Sequence, residues 1–169
     1  MARRALIHVL ALTALAACMC SCATRPPTHT TIALDDHVWT MELAIGEDAI
    51  KQGLMHRDHL AEGTGMLFVF PRPEPRQFWM AWCVMDIDLA FLDAFGRIVA
   101  VHRMTVEPSK GEQESEFAYL NRMPSYPSGV PVRFAAEFPA GTIDRVGMKR
   151  GDKFTLDVRT LLDRAQHTP

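Results

Sequence analysis

The sequence lacks the excess of basic residues that a nucleic-acid-binding surface requires. It contains 18 Lys and Arg residues against 20 Asp and Glu residues, which gives a formal net charge of −2. Proteins that hold a phosphate backbone depend on clustered positive charge, so we expect no nucleic-acid partner. The charged and hydrophobic fractions, 22% and 48%, are ordinary for a globular chain and exclude a disordered protein, a collagen and a polytopic membrane protein.

Several catalytic signatures are also missing. The chain contains no glycine-rich phosphate-binding loop, no His-Glu-x-x-His zinc motif and no Gly-x-Ser-x-Gly nucleophile elbow. We therefore expect no cofactor. The sequence leaves open whether the protein is an enzyme, and the absence of these motifs favours a non-enzymatic protein.

The N-terminus has the features of an export signal. Two arginines precede an uncharged, mainly apolar run from Ala5 to Ala17, which is shorter than the about 20 residues needed to cross a bilayer. The segment 15–18, Leu-Ala-Ala-Cys, resembles the lipoprotein signal of bacteria. We therefore predict a signal peptide over residues 1–17 and acylation of Cys18.

Acylation of Cys18 predicts a membrane-bound protein, because acyl chains bind a bilayer at roughly 0.8 kcal/mol per buried methylene group. Met19 follows the cysteine, without the aspartate that signals inner-membrane retention in Gram-negative bacteria. We predict an exported protein, tethered by residues 18–30 to the outer membrane and facing the periplasm. Cys20 and Cys22 lie in this tether and are interpreted as further acylation sites or adventitious disulfides rather than metal ligands.

Residues 31–160 are predicted to form a single, mainly β domain, followed by a C-terminal tail at 161–169. Alternating apolar residues begin after Thr31, and short apolar runs separated by Gly and Pro recur along the chain. Long helices, which a doubly wound α/β fold would need, are missing. The pattern favours a compact β-barrel or sandwich of about seven or eight short strands with one or two short helices.

The strongest local prediction is a β-hairpin. Strands at 87–92 and 97–104 flank the turn sequence Asp-Ala-Phe-Gly at 93–96. Short helices are expected at 48–55 and at 115–122, the second inside a long polar connection.

Prolines punctuate the segment before the hairpin. Three prolines between residues 71 and 75 predict an exposed, rigid loop that separates strands at 66–70 and 77–80. The last strand is expected at 154–158.

The candidate catalytic residues are few. Asp86 and Asp88 alternate with apolar residues and should project from one face of a strand, while His102 lies on the returning strand of the hairpin. Two such carboxylates suit a cation or acid–base chemistry, so a metal-assisted hydrolase that uses these three residues is an alternative function. Cys83 is either a nucleophile or a buried, inert thiol, and its apolar neighbours favour the second.

The segment 78–82, Phe-Trp-Met-Ala-Trp, is dense in aromatic residues. In an extended segment Phe78 and Trp82 share one face, whereas Trp79 takes the other face. One face can fill the core, and an exposed tryptophan in a groove is typical of sites for sugars, peptides or apolar ligands.

Several short blocks follow one another in a characteristic order. They are Gly-Leu-Met-His-Arg at 53–57, Gly-Met-Leu-Phe-Val-Phe at 65–70, Phe-Trp-Met at 78–80, Asp-Leu-Ala-Phe-Leu-Asp at 88–93 with Gly96, Tyr-Pro-Ser-Gly at 126–129, Glu137, Ala-Gly at 140–141 and Gly-Asp at 151–152. This succession resembles the bacterial and archaeal domain-of-unknown-function family 192 over roughly residues 38–158. The resemblance implies a compact β-rich barrel or sandwich with a small helix, in proteins that are often exported, and it implies no established activity.

The chain departs from the family pattern at three places. Trp82 and Cys83 stand where members usually carry Asn-Thr, Asp86 replaces a common proline, and the insert at 107–125 is longer than expected. The departures argue against a polar site built on the Asn-Thr pair. They also make Asp86 beside Asp88 a peculiarity of this branch.

The function predicted from these features is a lipid-anchored, non-enzymatic binding module of the cell envelope. Its groove is predicted around Arg57, Trp79, Asp88, Tyr126 and Ser128, because the aromatic segment lies beside proline-rich and Tyr-Pro-Ser-Gly loops. The expected partner is a glycan, a peptide or another envelope protein. A second alternative is an accessory structural lipoprotein that contacts an envelope complex through its long insert.

Overall fold

The computed structural model describes residues 28–168, which form six strands and four short helices. The strands are β1 (His29–Leu34), β2 (His37–Ala44), β3 (Thr64–Phe78), β4 (Ile87–Leu92), β5 (Ile98–Met104) and β6 (Tyr126–Pro139). The helices are α1 (Glu47–Gln52), α2 (Glu116–Asn121), α3 (Thr142–Val146) and α4 (Val158–His167). The predicted signal peptide, Cys18 and most of the predicted tether lie outside the described residues.

All six strands belong to one sheet, in the order β1-β2-β3-β6-β4-β5. β2 and β3 run parallel, and every other neighbouring pair is antiparallel. The predicted mainly β class is therefore confirmed. The sheet stays open, so the barrel among the expected architectures is not closed.

The two edges of the sheet are linked at one end only. Ala33 in β1 exchanges two backbone hydrogen bonds with Thr155, at 3.0 and 2.7 Å, while the Phe154 N–H donates to the Gly96 carbonyl at 2.9 Å. A barrel would pair these edges along their length, whereas here one short segment connects them. The strand expected at 154–158 is reduced to these isolated bridges, which corrects that prediction.

The three prolines between residues 71 and 75 do not interrupt the sheet. β3 continues through them, with shifts in its register against β6 between Val69 and Glu74 and between Pro75 and Gln77. Such irregularities let a strand pass residues that have no N–H to donate. The predicted loop is therefore wrong, although its residues are exposed as expected, and two predicted strands merge into one.

The C-terminal segment predicted as a tail is largely helix α4. Asp157 caps this helix, because its Oδ1 accepts the Thr160 N–H at 3.1 Å. Leu161 and Ala165, four residues apart, share one helical face and are buried in the core. The tail prediction at 161–169 is corrected accordingly.

The predictions of the hairpin and of a short helix inside the insert are confirmed. β4 and β5 pair across a turn in which Asp93 Oδ1 accepts the N–H groups of Phe95 and Arg97, at 2.8 and 2.9 Å. α2 begins after Ser115, whose hydroxyl accepts the Ala118 N–H at 3.2 Å. None of the helices within the described part of the chain is long and apolar enough to cross a bilayer.

Both faces of the sheet are covered by apolar contacts. The first face packs against α3 and α4, and the second packs against α1 and the segment between β3 and β4. Because side chains alternate along a strand, Ala136 and Phe138 of β6 point to the first face, whereas Ala135 and Glu137 point to the second. Glu137 thus places an ionisable side chain in a central strand of the sheet.

Candidate functional site

A cavity of about 360 Å³ lies on the second face of the sheet. It is lined by α1 and the residues after it, by the end of β3, by the turn at 82–83, and by α2. Its volume and its largely apolar lining are typical of small-molecule sites. Four of the lining side chains are aromatic: Phe68, Phe78, Trp79 and Trp82.

One carboxyl group, that of Glu137, lines this cavity from the sheet. Glu137 is only 5% exposed and pairs across the sheet with Met66 in β3 and Leu89 in β4. Its Oε2 atom is buried and has no hydrogen-bond partner among the described residues. A buried polar atom without a partner costs about 1–3 kcal/mol, so this arrangement calls for a functional explanation.

The surroundings of Glu137 favour its protonated form. Burial raises the pKa of Glu137 to about 8, and the positive charge of Arg57 partly opposes this rise. Arg57 is itself paired with Glu42 through two hydrogen bonds, at 2.7 and 2.9 Å, and this pairing lowers the pKa of Glu42. Among residues 28–168, Glu137 therefore has no counter-ion of its own.

Cys83 lies in the cavity wall near Glu137. Burial raises the pKa of its thiol to about 12, and the negative charge of Glu137 adds to this effect. A thiol with such a pKa is protonated at neutral pH and is a poor nucleophile. The structure therefore favours the interpretation of Cys83 as an inert thiol.

Two residues near the cavity have a left-handed backbone that is unusual for residues with side chains. The φ angles of His56 and Trp82 are +61° and +56°, and the His56 N–H donates to the Trp82 carbonyl at 2.9 Å. Such conformations cost about 1–3 kcal/mol each and concentrate at functional sites. The hydrogen bond between His56 and Trp82 holds the residues after α1 against the turn that follows β3. This contact fixes the shape of one wall of the cavity.

The long insert supplies another wall. Its helix α2 contributes Glu116 and Leu120 to the lining. Tyr119 is buried beneath, where its hydroxyl accepts the Trp82 N–H at 2.9 Å and its ring lies 5.4 Å from the Trp82 ring. The insert is therefore part of the cavity and is fastened to its aromatic turn.

The structure brings two of the predicted groove residues to this region. Trp79 lines the cavity and is 50% exposed. Arg57 lies close enough to Glu137 to affect its pKa, but its guanidinium is engaged by Glu42.

The other predicted groove residues have separate surroundings. Tyr126 packs against His102, with ring centroids 5.7 Å apart. Ser128 is buried, and its hydroxyl accepts the Arg76 N–H at 2.9 Å. The Tyr126 contact spans β4, which lies between β6 and β5, and the Ser128 contact joins the neighbouring strands β3 and β6.

Asp88 is buried on the first face of the sheet, away from the cavity. Its Oδ2 accepts the Ile143 N–H at 2.7 Å, close to the start of α3. The neighbouring Leu89 pairs with Glu137, so Leu89 and Glu137 share the second face while Asp88 points to the first. Burial raises the pKa of Asp88, and the hydrogen bond from Ile143 opposes that rise.

The three residues of the metal-assisted alternative are not brought together. Asp86 accepts a backbone N–H at 2.7 Å, and His102 lies 2.9 Å from a backbone carbonyl oxygen. In the hairpin His102 is opposite Leu89 and Asp88 is opposite Arg103, so Asp88 and His102 point to different faces. Within the part of the chain that the structure describes, no three His, Cys, Asp or Glu side chains are grouped as metal ligands.

Glu137 was not among the site residues expected from the sequence, where it appeared only as one block of the family resemblance. A usable signal was present, because it interrupts the apolar run Phe-Ala-Ala-Glu-Phe at 134–138. Glutamate is almost never fully buried unless it is paired. A glutamate inside such a strand is therefore itself an indication of a site.

Solved structures that resemble this fold include two bacterial proteins. A candidate transcription regulator from Sinorhizobium meliloti 1021 is 28% identical, with a TM-score of 0.62, and the match covers 77% of this chain and 93% of that one. A protein of unknown function from Novosphingobium aromaticivorans DSM 12444 is 26% identical, with a TM-score of 0.61, and the match covers 75% and 83% of the two chains. Comparison with curated proteins found no match.

The family resemblance noted in the sequence is also confirmed. The model of the family DUF192, described as Uncharacterized ACR, matches residues 29–156, and the chain belongs to this family.

Proposed function

We propose that the protein is a non-enzymatic binding module whose ligand is a small molecule held in the Glu137 cavity. The observation that carries this proposal is the buried Glu137 carboxyl, which has an unpartnered oxygen and faces a cavity lined with aromatic side chains. Ligand sites combine such apolar walls with a few polar groups that orient the ligand. The volume of about 360 Å³ suits a small molecule, or one residue of a glycan or peptide, better than a folded partner.

The surroundings of two side chains that carry a thiol or a hydroxyl, Cys83 and Ser128, favour binding over catalysis. Cys83 is held as a thiol by burial, and the Ser128 hydroxyl donates to the Val130 carbonyl at 2.7 Å. A covalent mechanism needs a nucleophile next to a base that can accept its proton. Neither side chain has such a partner within the described residues.

We further propose that the module acts at the cell envelope, where acyl chains on Cys18 would attach it to the outer membrane. The support for this part is the sequence Leu-Ala-Ala-Cys at 15–18, behind a short apolar run. A site in the periplasm would meet small solutes that cross the outer membrane.

The test of the binding proposal is a panel of small organic cations, anions and neutral compounds, titrated calorimetrically against the wild type and two variants. Leu120→Trp adds bulk inside the cavity, whereas Phe117→Trp makes a similar change on the exposed side of the same helix. A compound that binds the wild type and Phe117→Trp equally, but Leu120→Trp at least tenfold more weakly, supports the proposal. Equal binding to all three proteins, or no binding by any compound at millimolar concentration, overturns it.

A further inference from the structure

We propose that the cavity recognises an organic cation, namely a compound that carries a protonated amine on an apolar body. This inference rests on the proposed function and names the class of ligand. Its basis is that the cavity presents one carboxyl group that has no partner among the described residues, in a lining that includes four aromatic side chains. A carboxylate and aromatic rings together form the kind of site that binds an ammonium group.

The positive charge of Arg57 does not neutralise an ionised Glu137. Arg57 is the nearby cation, and both of its terminal nitrogens bond to the Glu42 carboxylate. That pair is neutral as a unit. An ionised Glu137 would therefore be a buried charge with no partner in the described part of the chain, which is strongly unfavourable unless a ligand supplies the opposite charge.

The remaining ionisable groups near the cavity do not supply that charge. Lys51 of α1 and Glu116 of α2 line the cavity as exposed residues and carry opposite charges. Cys83 is a neutral thiol. His102, on the same face of the sheet, is turned toward the Pro127 carbonyl oxygen at 2.9 Å.

The aromatic lining suits both parts of such a ligand. The faces of aromatic rings attract cations through their quadrupole, and tryptophan does so best. Trp79 and Trp82 both line the cavity, one half-exposed and the other against the insert. Ile50 and Leu120 add aliphatic surface for an apolar body.

In the free protein a proton occupies the carboxyl group. The pKa of Glu137 is raised to about 8 by burial, so the group is mainly protonated at neutral pH. An ammonium ligand binds the ionised carboxylate and displaces that proton. Its affinity should therefore rise about tenfold per pH unit below pH 8 and level off above it, as long as the amine stays protonated. A neutral ligand that accepts the carboxyl proton would show the opposite slope.

The experiment compares 2-phenylethylamine with 2-phenylethanol, which has the same shape but no charge. Both are titrated into the full chain by isothermal titration calorimetry from about pH 5.5 to pH 9. We expect the affinity for the amine to be roughly 100-fold higher at pH 7.5 than at pH 5.5. Near pH 5.5 the binding of each amine molecule should release about one proton. The alcohol should bind at least tenfold more weakly than the amine at pH 8.

Two Glu→Gln variants provide the matched comparison. Glu137→Gln should weaken amine binding at least tenfold at pH 8 and remove its pH dependence. Glu62→Gln makes the same substitution at an exposed residue near Arg145. It should change neither the affinity for the amine at pH 8 nor the pH dependence of that affinity. Leu120→Trp, which keeps the carboxyl group, should also abolish amine binding, so the conclusion does not depend on one variant folding normally.

The outcomes separate the two proposals. If the alcohol binds as tightly as the amine, or if Glu137→Gln binds the amine like the wild type, the cation inference fails. Cavity binding by another compound of the panel would then leave the binding function intact. If neither probe nor any panel compound binds, the proposed function fails together with the inference.

Discussion

At the scale of single residues, the proposed function depends on Glu137, a buried carboxyl group in a central strand of the sheet. Burial in the centre of the sheet makes its ionised form expensive, and Arg57 relieves only part of that cost because it is bound to Glu42. A protein that retains such a group loses stability whenever the group ionises without a ligand. This loss of stability is consistent with a residue that was selected for binding rather than for stability.

The first prediction concerns the pH dependence of stability in the variant Glu137→Gln. The pKa of Glu137 is raised from 4.5 to about 8 on folding, so its stabilising contribution is complete below pH 4.5 and is lost as the pH rises through 8. The full loss is on the order of 5 kcal/mol, of which about 4 kcal/mol falls between pH 4.5 and pH 8.5. Urea unfolding without ligand measures the free energy of unfolding of both proteins at pH 4.5 and pH 8.5. From the lower to the higher pH, the stability of the variant relative to the wild type should increase by this order of magnitude. A difference independent of pH would contradict the prediction.

The second prediction separates Asp88 from the cavity. Asp88→Ala removes the acceptor of the Ile143 N–H and should lower the free energy of unfolding by about 1–2 kcal/mol, while Asp88→Asn, which keeps an acceptor oxygen, should cost less. Chemical denaturation of the three proteins measures this order. A loss of ligand affinity without a loss of stability would instead support the groove role predicted for Asp88 from the sequence.

At the scale of elements, the insert and the aromatic turn form one unit. α2 has only six residues, so its position depends on tertiary contacts more than on helix propensity. Tyr119 provides these contacts, because its hydroxyl accepts the N–H of the strained Trp82 and its ring is buried beneath the Arg122 guanidinium. The long connection is thus ordered where it meets the cavity.

The third prediction follows from this contact. Tyr119→Phe removes the acceptor of the Trp82 N–H and should lower stability by about 1 kcal/mol. Relative to the wild type, the rate of hydrogen exchange should increase more at the Trp82 amide and along α2 than in the rest of the domain. Tyr126→Phe, which removes the other tyrosine hydroxyl from β6, is the control. Equal exchange at the Trp82 amide in both variants would show that Tyr119 does not fasten the turn.

The elements that the sequence predicted correctly are those with local signals. The hairpin has its turn residues and alternation within a few positions, and α2 has its cap at Ser115. β3 was split in the prediction because prolines lack an N–H, whereas pairing with β6 carries the strand past them through register shifts. α4 was missed because its buried face consists of little more than Leu161 and Ala165.

At the scale of the whole molecule, strand order decides which residues can form a site. β6 lies between β3 and β4, so Glu137 is buried and meets residues from distant parts of the chain. Nothing local predicts this order, since β2 and β3 are parallel and β6 is inserted next to β4. The sequence therefore pointed to the aromatic segment, whose Trp79 lines the cavity, but it could not show that Asp88 faces the opposite side.

The fourth prediction concerns the attachment of the domain. Cys18→Ala should move the protein from the membrane fraction to the soluble fraction of cells and remove the mass of the acyl chains, because the lipid supplies the attachment. Cell fractionation and intact-protein mass spectrometry measure both effects. Cys22→Ala is the control and should stay with the membrane. Retention of the lipid mass in Cys18→Ala would show that another residue is acylated.

Nuclear magnetic resonance titration of the Glu137 side-chain carbon tests whether this buried carboxyl group stays protonated until a cationic ligand binds. We predict a pKa of about 8 for the free protein. Saturation with 2-phenylethylamine should lower this pKa, because the bound ammonium stabilises the ionised form. A free-protein pKa near the ordinary 4.5, or the same raised value with and without the saturating amine, would contradict the account.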